Sequence, residues 1–390
     1  MKRKIRAFIA NDFIPFLFHL RGGKEVWLDK QPDLSYMGIE SILVEKARSF
    51  TFSPTWDWNS LPAGQEASAQ PNTLLPAETV NFHDSYVYKL DYSRFGDCTR
   101  RWGVIVLPGA RALLTGFSRQ RFHLATLLPR NPFRIRREKL ILCPQPYPGG
   151  TYGDVLNITL PRLCTILMTL NDKEKSEACV AMPFANEITH QLVERLGIPR
   201  ERHIDSRREC FGLTKDGTAV TCNTPLKIHV PEKAYRYMRN ALCPQHTEAG
   251  TKRIYIQRQH TRRILGESDY LPRLLDMGFT IFDDSPRTLD EQMELFHGAE
   301  AIVCAHGAGQ VNMLWANPQV KVLELRDAGL WLNCFRLWSL YNGARHELMI
   351  DWTRSQKPDW RLDCGYVDLK AAPEAVLRAT RELLNEQPSS

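Results

Sequence analysis

The 390-residue sequence lacks the cysteine patterns that mark metal or redox sites. Its ten cysteines contain no C-x-x-C pair, and no group of cysteines and histidines has zinc-like spacing. Scattered cysteines of this kind are typical of a reducing compartment, in which buried thiols behave as small hydrophobic side chains. We therefore expect no zinc site.

The sequence also has no evident secretory signal or membrane anchor. A basic start at 2–6 precedes an apolar run at 13–18, but Asn11, Asp12 and Pro15 interrupt it and no cleavage site follows. The run is far shorter than the ~20 residues needed to span a bilayer. We expect a cytoplasmic protein in which this run begins a buried strand or helix. A peripheral contact with anionic lipid at the inner face of the membrane is the alternative.

No G-x-G-x-x-G motif follows an early strand, which makes a nicotinamide oxidoreductase the least favoured function class. A hydrophobic content of 43% and a charged content of 24% are ordinary for a globular protein. The net charge of +7 suits an anionic substrate or a negative membrane surface, and a merely basic soluble protein is the equal alternative. No nucleic-acid partner is expected.

The length predicts two or three domains at about 150 residues each. Polar residues with proline and glycine at 244–250 indicate a linker, so we predict an N-terminal domain at 1–245 and a C-terminal domain at 250–370. Serine, proline and tryptophan at 50–76 favour an irregular loop. The basic segment 119–139 is interpreted as solvated surface, with docking of an acidic or lipid-linked acceptor as the alternative.

The segment 252–327 alternates between strand and helix patterns. Short apolar runs at 253–257, 279–282, 301–304 and 320–325 predict buried parallel strands. A capping-box pattern begins at Thr288, and Gly278 is placed to end the helix before it. This order predicts the α/β class with a doubly wound parallel sheet, in which ligands bind at the carboxyl ends of the strands.

Two glycines, Gly307 and Gly309, fall at a predicted strand-to-helix turn inside this segment. Free backbone N–H groups at such a turn favour an anion, usually a phosphate, and small residues let a ligand approach the backbone. A plain tight turn is the alternative. The ligand site is favoured because Arg258, His306 and Glu324 all fall at or near the carboxyl ends of predicted strands.

Several spaced motifs of this segment together resemble the C-terminal half of the glycosyltransferase family 61 domain. The motifs are YIQR at 255–258, RRIL at 262–265, GF at 278–279, LDEQ at 289–292, AEAIV at 299–303, HGAG at 306–309, Asn312 and VLEL at 322–325. The resemblance implies a GT-B architecture, with two Rossmann-like doubly wound domains facing a cleft, of which 250–370 binds the donor. It also implies that the helix in 371–390 crosses back to the first domain.

The same resemblance implies inverting transfer of a sugar from a nucleotide-sugar donor, here expected to be UDP-linked, without a metal ion. The acceptor is expected to be a glycan or a lipid-linked glycan in the synthesis of a capsule or lipopolysaccharide. Two alternatives stay open. One is a nucleotide-sugar epimerase, and the other is a non-catalytic homologue that binds nucleotide or glycan in an assembly complex.

We assign donor-binding roles within this resemblance. Fixed cations suit a departing diphosphate, so Arg258 and Arg263 are placed on it, and His306 is expected to donate to the diphosphate or the donor sugar. The remaining predicted donor contacts are the backbone of Gly307, Ala308 and Gly309, the side chain of Asn312, and Glu324 as an acceptor from ribose hydroxyls. The alternatives are that the two arginines are surface charges and that Glu324 forms an ion pair on an edge strand. Gly266 departs from the asparagine that is common in the family.

A stretch of glycine and aromatic residues leads into a helix that contains Leu-Pro-Arg-Leu at 160–163. It resembles the N-terminal motif of the same family. The family commonly has a His-Trp pair where this sequence has Asp154 and Val155. Asp154 is the candidate base that takes the proton of the acceptor hydroxyl. The equally weighted alternative is a helix N-cap. Asp283 and Asp284 form a pair that could suggest a metal site, but a loop and cap role is preferred.

Overall fold

The structure, a computed structural model, describes most of the chain from residue 135 onward and shorter stretches before it. The described residues are 24–27, 34, 39–52, 55–56, 74–75, 78–82, 84–92, 106–107, 111–114, 135–144, 151–223, 230–243, 250–327, 333–351 and 368–385. The apolar run at 13–18, nearly all of the predicted linker and much of the 50–76 loop lie outside them. The described residues belong to two units. Unit 1 contains those up to Ser49 and from Asn81 to Leu242, and unit 2 those from Phe50 to Val80 and from Cys243 onward.

The strands are numbered in chain order. They are β1 (Lys24–Trp27), β2 (Glu40–Glu45), β3 (Ser49–Phe52), β4 (Thr55–Trp56), β5 (Leu74–Leu75), β6 (Glu78–Asn81), β7 (Ser85–Asp91), β8 (Val106–Leu107), β9 (Arg111–Leu114), β10 (Ile135–Cys143), β11 (Cys179–Met182), β12 (His203–Asp205), β13 (Cys210–Cys222), β14 (Lys252–Ile256), β15 (Ile264–Leu265), β16 (Phe279–Phe282), β17 (Ala299–Ala305), β18 (Lys321–Asp327), β19 (His346–Asp351) and β20 (Leu369–Lys370).

The helices are numbered in the same way. They are α1 (Tyr152–Asp154), α2 (Leu160–Leu167), α3 (Asp172–Glu177), α4 (Glu187–Arg195), α5 (Glu232–Leu242), α6 (Leu271–Asp276), α7 (Leu289–Phe296), α8 (Cys334–Tyr341) and α9 (Pro373–Leu384). A π-helical turn, Val155–Thr159, joins α1 to α2, and 3₁₀ turns occur at Arg200–Arg202, Glu267–Asp269 and Ala308–Leu314.

Unit 1 contains a six-stranded mixed sheet in the order β12-β11-β10-β13-β7-β2. Strands β10 to β13 run parallel, and β7 and β2 are antiparallel to their neighbours. β11 is buried at all four positions, as expected for a short apolar run in a covered parallel sheet. Helices α2 to α5 occur in the same part of the chain as β10 to β13, so unit 1 contains a mixed α/β layer.

Unit 2 contains a five-stranded sheet in the order β16-β14-β17-β18-β19, and every neighbouring pair is parallel. Counted along the chain from β14, this is the order 2-1-3-4-5. The direction of winding reverses between β14 and β17, and the carboxyl ends of these two strands form the topological switch point. The mixed α/β class with parallel sheets is confirmed.

Two local predictions for unit 2 are confirmed. The Thr288 side chain accepts from the Glu291 backbone N–H and the Glu291 side chain reaches back to Thr288, so α7 begins with a full capping box. Gly278 follows α6 with a φ of +82°, the left-handed conformation that ends a helix. One prediction differs, because the turn after Gly307 is a 3₁₀ helix and not an α-helix.

The last helix, α9, packs on the sheet of unit 2. Its side chains Val376, Leu377 and Leu383 are fully buried in one core with Val303 and Leu323 of the central strands. Its apolar face covers one side of the unit 2 sheet, which a parallel sheet needs. The crossing of this helix back to the first domain stays a prediction.

No helix within the described residues is long and apolar enough to cross a membrane.

Candidate functional site

The candidate site lies at the switch point of unit 2. β14 leads into the loop that carries Arg258 and Arg262, and β17 leads into His306 and Gly307. Because β14 and β17 are parallel neighbours, their carboxyl ends lie side by side. Both loops therefore meet at the edge where doubly wound sheets bind their ligands.

Two guanidinium groups lie against the backbone of Gly307. A Cβ atom placed on Gly307 would be 3.3 Å from Cζ of Arg258 and 3.4 Å from Nη1 of Arg262. Arg262 also donates to the carbonyl oxygen of His306 at 3.0 Å. Only a residue without a side chain allows this approach. Gly307 has extended backbone, with a φ of 167°, so glycine is needed here for space and not for conformation.

Arg258 is positioned from both sides. Its Nε donates to the carbonyl of Thr261 at 3.3 Å, and its Nη1 lies 3.8 Å from Asp284. Asp284 in turn accepts from the backbone N–H of Gln259 at 3.0 Å. The long contact with Asp284 neutralises Arg258 only weakly, and its side chain keeps 15% exposure, enough to reach a ligand.

Arg263, the other predicted diphosphate ligand, has different surroundings. Its guanidinium pairs with Asp368 at 2.6 Å, and its backbone N–H donates to the same carboxylate at 3.0 Å. Hydrogen bonding to Asp368 raises the pKa of Arg263. The arginine beside Arg258 at Gly307 is thus Arg262. Arg263 instead supports the short pairing of β15 with β20.

His306 and Glu324 form a buried polar network. His306 Nδ1 lies 2.7 Å from Glu324 Oε1, while His346 Nε2 lies 2.9 Å from Oε2. Gln310 donates to Oε2 at 3.1 Å. Glu324 is 1% exposed, so a charged carboxylate at this position requires such donors. The ring of Phe335, 5.3 Å away, packs beside the imidazole of His306.

The electrostatics of this network favour an ionised Glu324. Burial alone would raise the pKa of its carboxyl, but His306 and His346 outweigh that effect and hold the pKa well below its usual value. Burial lowers the pKa of His346, and Arg336 and Arg326 add to the decrease, while Glu324 opposes it. With both carboxylate oxygens engaged, the geometry favours a supporting role for Glu324 over acceptance from ribose.

Asn312, also predicted to contact the donor, is buried in the supporting structure. Its amide donates to Gln292 at 3.2 Å, and its oxygen accepts from the indole N–H of Trp315 at 3.1 Å. These bonds join α7 to the 3₁₀ turn that follows the glycine loop. Gly309 has a similar supporting place, because a Cβ on it would lie 3.0 Å from Ile256. Ala308, between the two glycines, is exposed.

The adjacent acids Asp283 and Asp284 each have partners within the loop. Asp283 accepts from Arg287 at 2.6 Å and from the Ser285 hydroxyl at 2.8 Å. Hydrogen bonds from Arg287 and Ser285 lower the pKa of Asp283 to about 2. Within the part of the chain that the structure describes, no cluster of three or more His, Cys, Asp or Glu side chains could hold a metal ion.

Asp154, the candidate base, lies in unit 1 at the end of α1. Thr151 is the N-cap and accepts from the Asp154 backbone at 3.3 Å, and its hydroxyl donates to the Asp154 carboxylate at 2.8 Å. The side chain of Asp154 makes no capping bond of its own to the following helix. Burial raises the pKa of this carboxyl despite the bonds from Thr151, which makes it a better proton acceptor at neutral pH.

The π-helical turn after Asp154 has a sequence cause. Pro161 has no N–H to donate, and its ring crowds the carbonyl of Asn157, four residues earlier. A wider turn relieves this contact and leads directly into α2. Such turns often occur at functional sites.

Three residues of the site were missed or not given a role by sequence reasoning, namely Arg262, Gln310 and His346. Arg262 lies within the RRIL motif, in which the sequence places its neighbour Arg263 on the diphosphate. Gln310 falls in the helix that the sequence predicts after the glycine turn. His346 lies on β19, outside the segment 252–327, and only its pairing with β18 brings it to Glu324.

A sequence profile of the family described as Glycosyltransferase 61 matches residues 121–323, just over half of the chain. The matched range includes Asp154, Arg258 and His306. Among curated proteins, none matches the chain.

Proposed function

The chain belongs to glycosyltransferase family 61, and we propose that it is an inverting enzyme acting on a nucleotide-sugar donor, with UDP as the nucleotide. The proposed acceptor is a glycan or lipid-linked glycan in the synthesis of a surface polysaccharide such as capsule or lipopolysaccharide. The observation that carries this proposal is the meeting of two guanidinium groups at Gly307, beside His306, at the switch point of a parallel sheet.

The arginine pair suits a diphosphate. Guanidinium groups present several N–H donors in a fixed plane and bind phosphate oxygens in pairs. Arg258 and Arg262 approach one backbone position from the same loop, so their charges converge there. The charge that develops on the leaving diphosphate would be stabilised by donors that are already in place.

His306 is the third group of this proposed donor site. The Glu324 carboxylate accepts a hydrogen bond from Nδ1 of His306. The proton of a neutral His306 is therefore on Nδ1, and its Nε2 faces away from Glu324. Among the described residues, Nε2 has no hydrogen-bond partner. In its protonated form, His306 can donate through Nε2 to the diphosphate or the donor sugar.

Asp154 is the proposed base in this scheme. In inverting transfer the acceptor oxygen attacks the anomeric carbon as the bond to the diphosphate breaks, and the acceptor proton passes to the base. We propose that units 1 and 2 are the acceptor and donor domains of a GT-B architecture. We also propose metal independence, with the two arginines and His306 supplying the positive charge.

The experiment is an assay of nucleotide release from a panel of UDP-, GDP- and CMP-linked sugars in the presence of glycan and lipid-linked glycan acceptors. It is run with and without EDTA, in wild type and His306→Ala. We expect release from one donor class, unaffected by EDTA, and a loss of about 100-fold or more in His306→Ala, as for removal of one charge-stabilising group. Loss of release in EDTA that Mn²⁺ restores would contradict the metal-independent mechanism.

The same panel separates the two alternatives. An epimerase interconverts the free donor sugar without releasing the nucleotide. A non-catalytic homologue binds a nucleotide and leaves the donor intact. The replacement of the common family histidine by Asp154 is the observation that favours the second alternative.

A further inference from the structure

His346 has a buried side chain and, among the described residues, contacts the site through Glu324. It begins β19 and lies level with Val322 on β18, two residues before Glu324 in the direction of the strands. It is therefore on the far side of Glu324 from the carboxyl edge of the sheet. Its Nε2 contacts Glu324 at 2.9 Å, and its Nδ1 contacts the Ser339 hydroxyl at 2.9 Å.

The hydrogen bonds of this network have one consistent direction. An ionised carboxylate only accepts, so Glu324 takes N–H groups from His306, Gln310 and His346. A neutral His346 with its proton on Nε2 must then accept at Nδ1 from the Ser339 hydroxyl. This series of hydrogen bonds runs from Ser339 through His346 to Glu324 and ends at His306. Each member fixes the proton position of the next.

We propose that His346 is a positioning residue that acts through Glu324 to fix the tautomer and direction of His306. This inference rests on the proposed function, in which Nε2 of His306 faces the donor diphosphate. Without His346, Oε2 of Glu324 keeps Gln310 as its partner in this network, and a buried carboxylate with fewer donors takes up a proton more readily. A protonated Glu324 donates to Nδ1 of His306. This leaves a neutral imidazole with its proton on Nε2 and removes the positive charge that His306 supplies to the diphosphate in the proposed function.

The charged and titratable groups around Glu324 agree with a carboxylate whose ionisation depends on its two histidine partners. They are His306 and Cys304 on β17 and the loop after it, Arg326 on β18, His346 on β19 and Arg336 on α8. The pKa of Cys304 is raised well above its ordinary value, first by burial and then by Glu324, so its thiol carries no charge. The histidines are the groups that hold the pKa of Glu324 down.

The sign of the pH effect follows from this. The pKa of Glu324 is depressed, so its ionised form, and the His306 tautomer that depends on it, persist until the pH falls through that low pKa. Loss of His346 moves the pKa of Glu324 up toward its ordinary value. The change in His306 protonation must then occur at a higher pH than in the wild type. The acid limb of kcat does not report this change, because Asp154, whose pKa is raised, must also be ionised.

The test compares His346→Leu with His346→Gln and with His297→Leu, which makes the same change at an exposed histidine of unit 2. We expect His346→Leu to lower kcat by about 10- to 100-fold, the range for losing a partner that orients a functional histidine, with little change in donor KM. His346→Gln, whose amide can donate to Glu324, is expected to recover most of the kcat.

A second readout is independent of turnover. In protein labelled with ¹⁵N-histidine, the His306 signal, identified by its loss in His306→Gln, reports which nitrogen carries the proton. We expect His346→Leu to change it and His297→Leu to leave it unchanged. If His346→Leu does not fold, Ser339→Ala, which removes only a hydroxyl, decides the question through the same signal.

Unchanged kcat and His306 signal in folded His346→Leu, or an unchanged His306 signal in Ser339→Ala, would overturn the inference. A different result is also informative. If the wild type releases no nucleotide but the His306 signal changes in His346→Leu, the proposed function is contradicted and the positioning role of His346 is supported. The two failures are thus distinguishable.

Discussion

Arg262 and Arg263 are adjacent in the chain, yet one lies at Gly307 and the other pairs with Asp368. The difference arises at Arg262, whose φ of +58° is rare for a residue with a side chain. A run of two arginines carries no sign of this conformation, and the sequence therefore could not show which arginine faces the glycine loop. The sequence did show that this loop is basic and follows a strand.

A single methyl group at Gly307 is expected to separate ligand binding from stability. In Gly307→Ala the new Cβ displaces the guanidinium ends of Arg258 and Arg262, which are flexible, while the extended backbone accepts alanine. A charged hydrogen bond contributes about 1.5–3 kcal/mol, so affinity for the nucleotide should fall about tenfold or more. The measurement is nucleotide titration together with thermal unfolding.

Gly309→Ala is the matched comparison. Its Cβ would lie 3.0 Å from Ile256 in the core. We expect overpacking to lower stability by about 1–3 kcal/mol. A Gly307→Ala protein that binds nucleotide as the wild type does would exclude the two arginines as phosphate ligands.

At the scale of elements, the sequence predicted what local patterns encode. Buried apolar runs gave the parallel strands, Thr288 and Glu291 gave the start of α7, and Gly278 gave the end of α6. The patterns could not predict the placement of α9, since an amphipathic helix fits any apolar surface. Nor could they predict that β19 brings His346 beside Glu324.

The placement of α9 can be tested through Leu377, which is fully buried in the core of unit 2. Leu377→Ala should lower stability by about 2–5 kcal/mol, as is usual when a buried leucine is truncated. Hydrogen exchange should report faster opening of β17 and β18. Faster exchange in the strands of unit 1 instead would contradict the packing of α9 on unit 2.

At the scale of the whole molecule, the units are not simple successive halves of the sequence. The described residues between Phe50 and Val80 are grouped with unit 2. The ring of Phe50 lies 5.3 Å from that of Tyr341, and Arg336 lies 4.2 Å above the ring of Phe52. A loop rich in serine and proline gives no local indication of such distant contacts, because they depend on aromatic packing far along the chain.

The central claim is that Arg258, Arg262 and His306 form a diphosphate site in unit 2. Its most direct test is calorimetric titration with UDP, GDP, CDP and CMP of the wild type, Arg262→Ala and Arg263→Ala. The ion pair of the exposed Arg263 with Asp368 contributes little to stability, so Arg263→Ala serves as a folded neighbour control.

We predict that the wild type binds one nucleoside diphosphate with micromolar affinity, about −8 kcal/mol. Arg262→Ala should weaken that binding at least tenfold, by about 1.4 kcal/mol, and Arg263→Ala should leave it nearly unchanged. Binding that is lost in Arg263→Ala and kept in Arg262→Ala, or a wild type that binds none of the four nucleotides, would contradict the account.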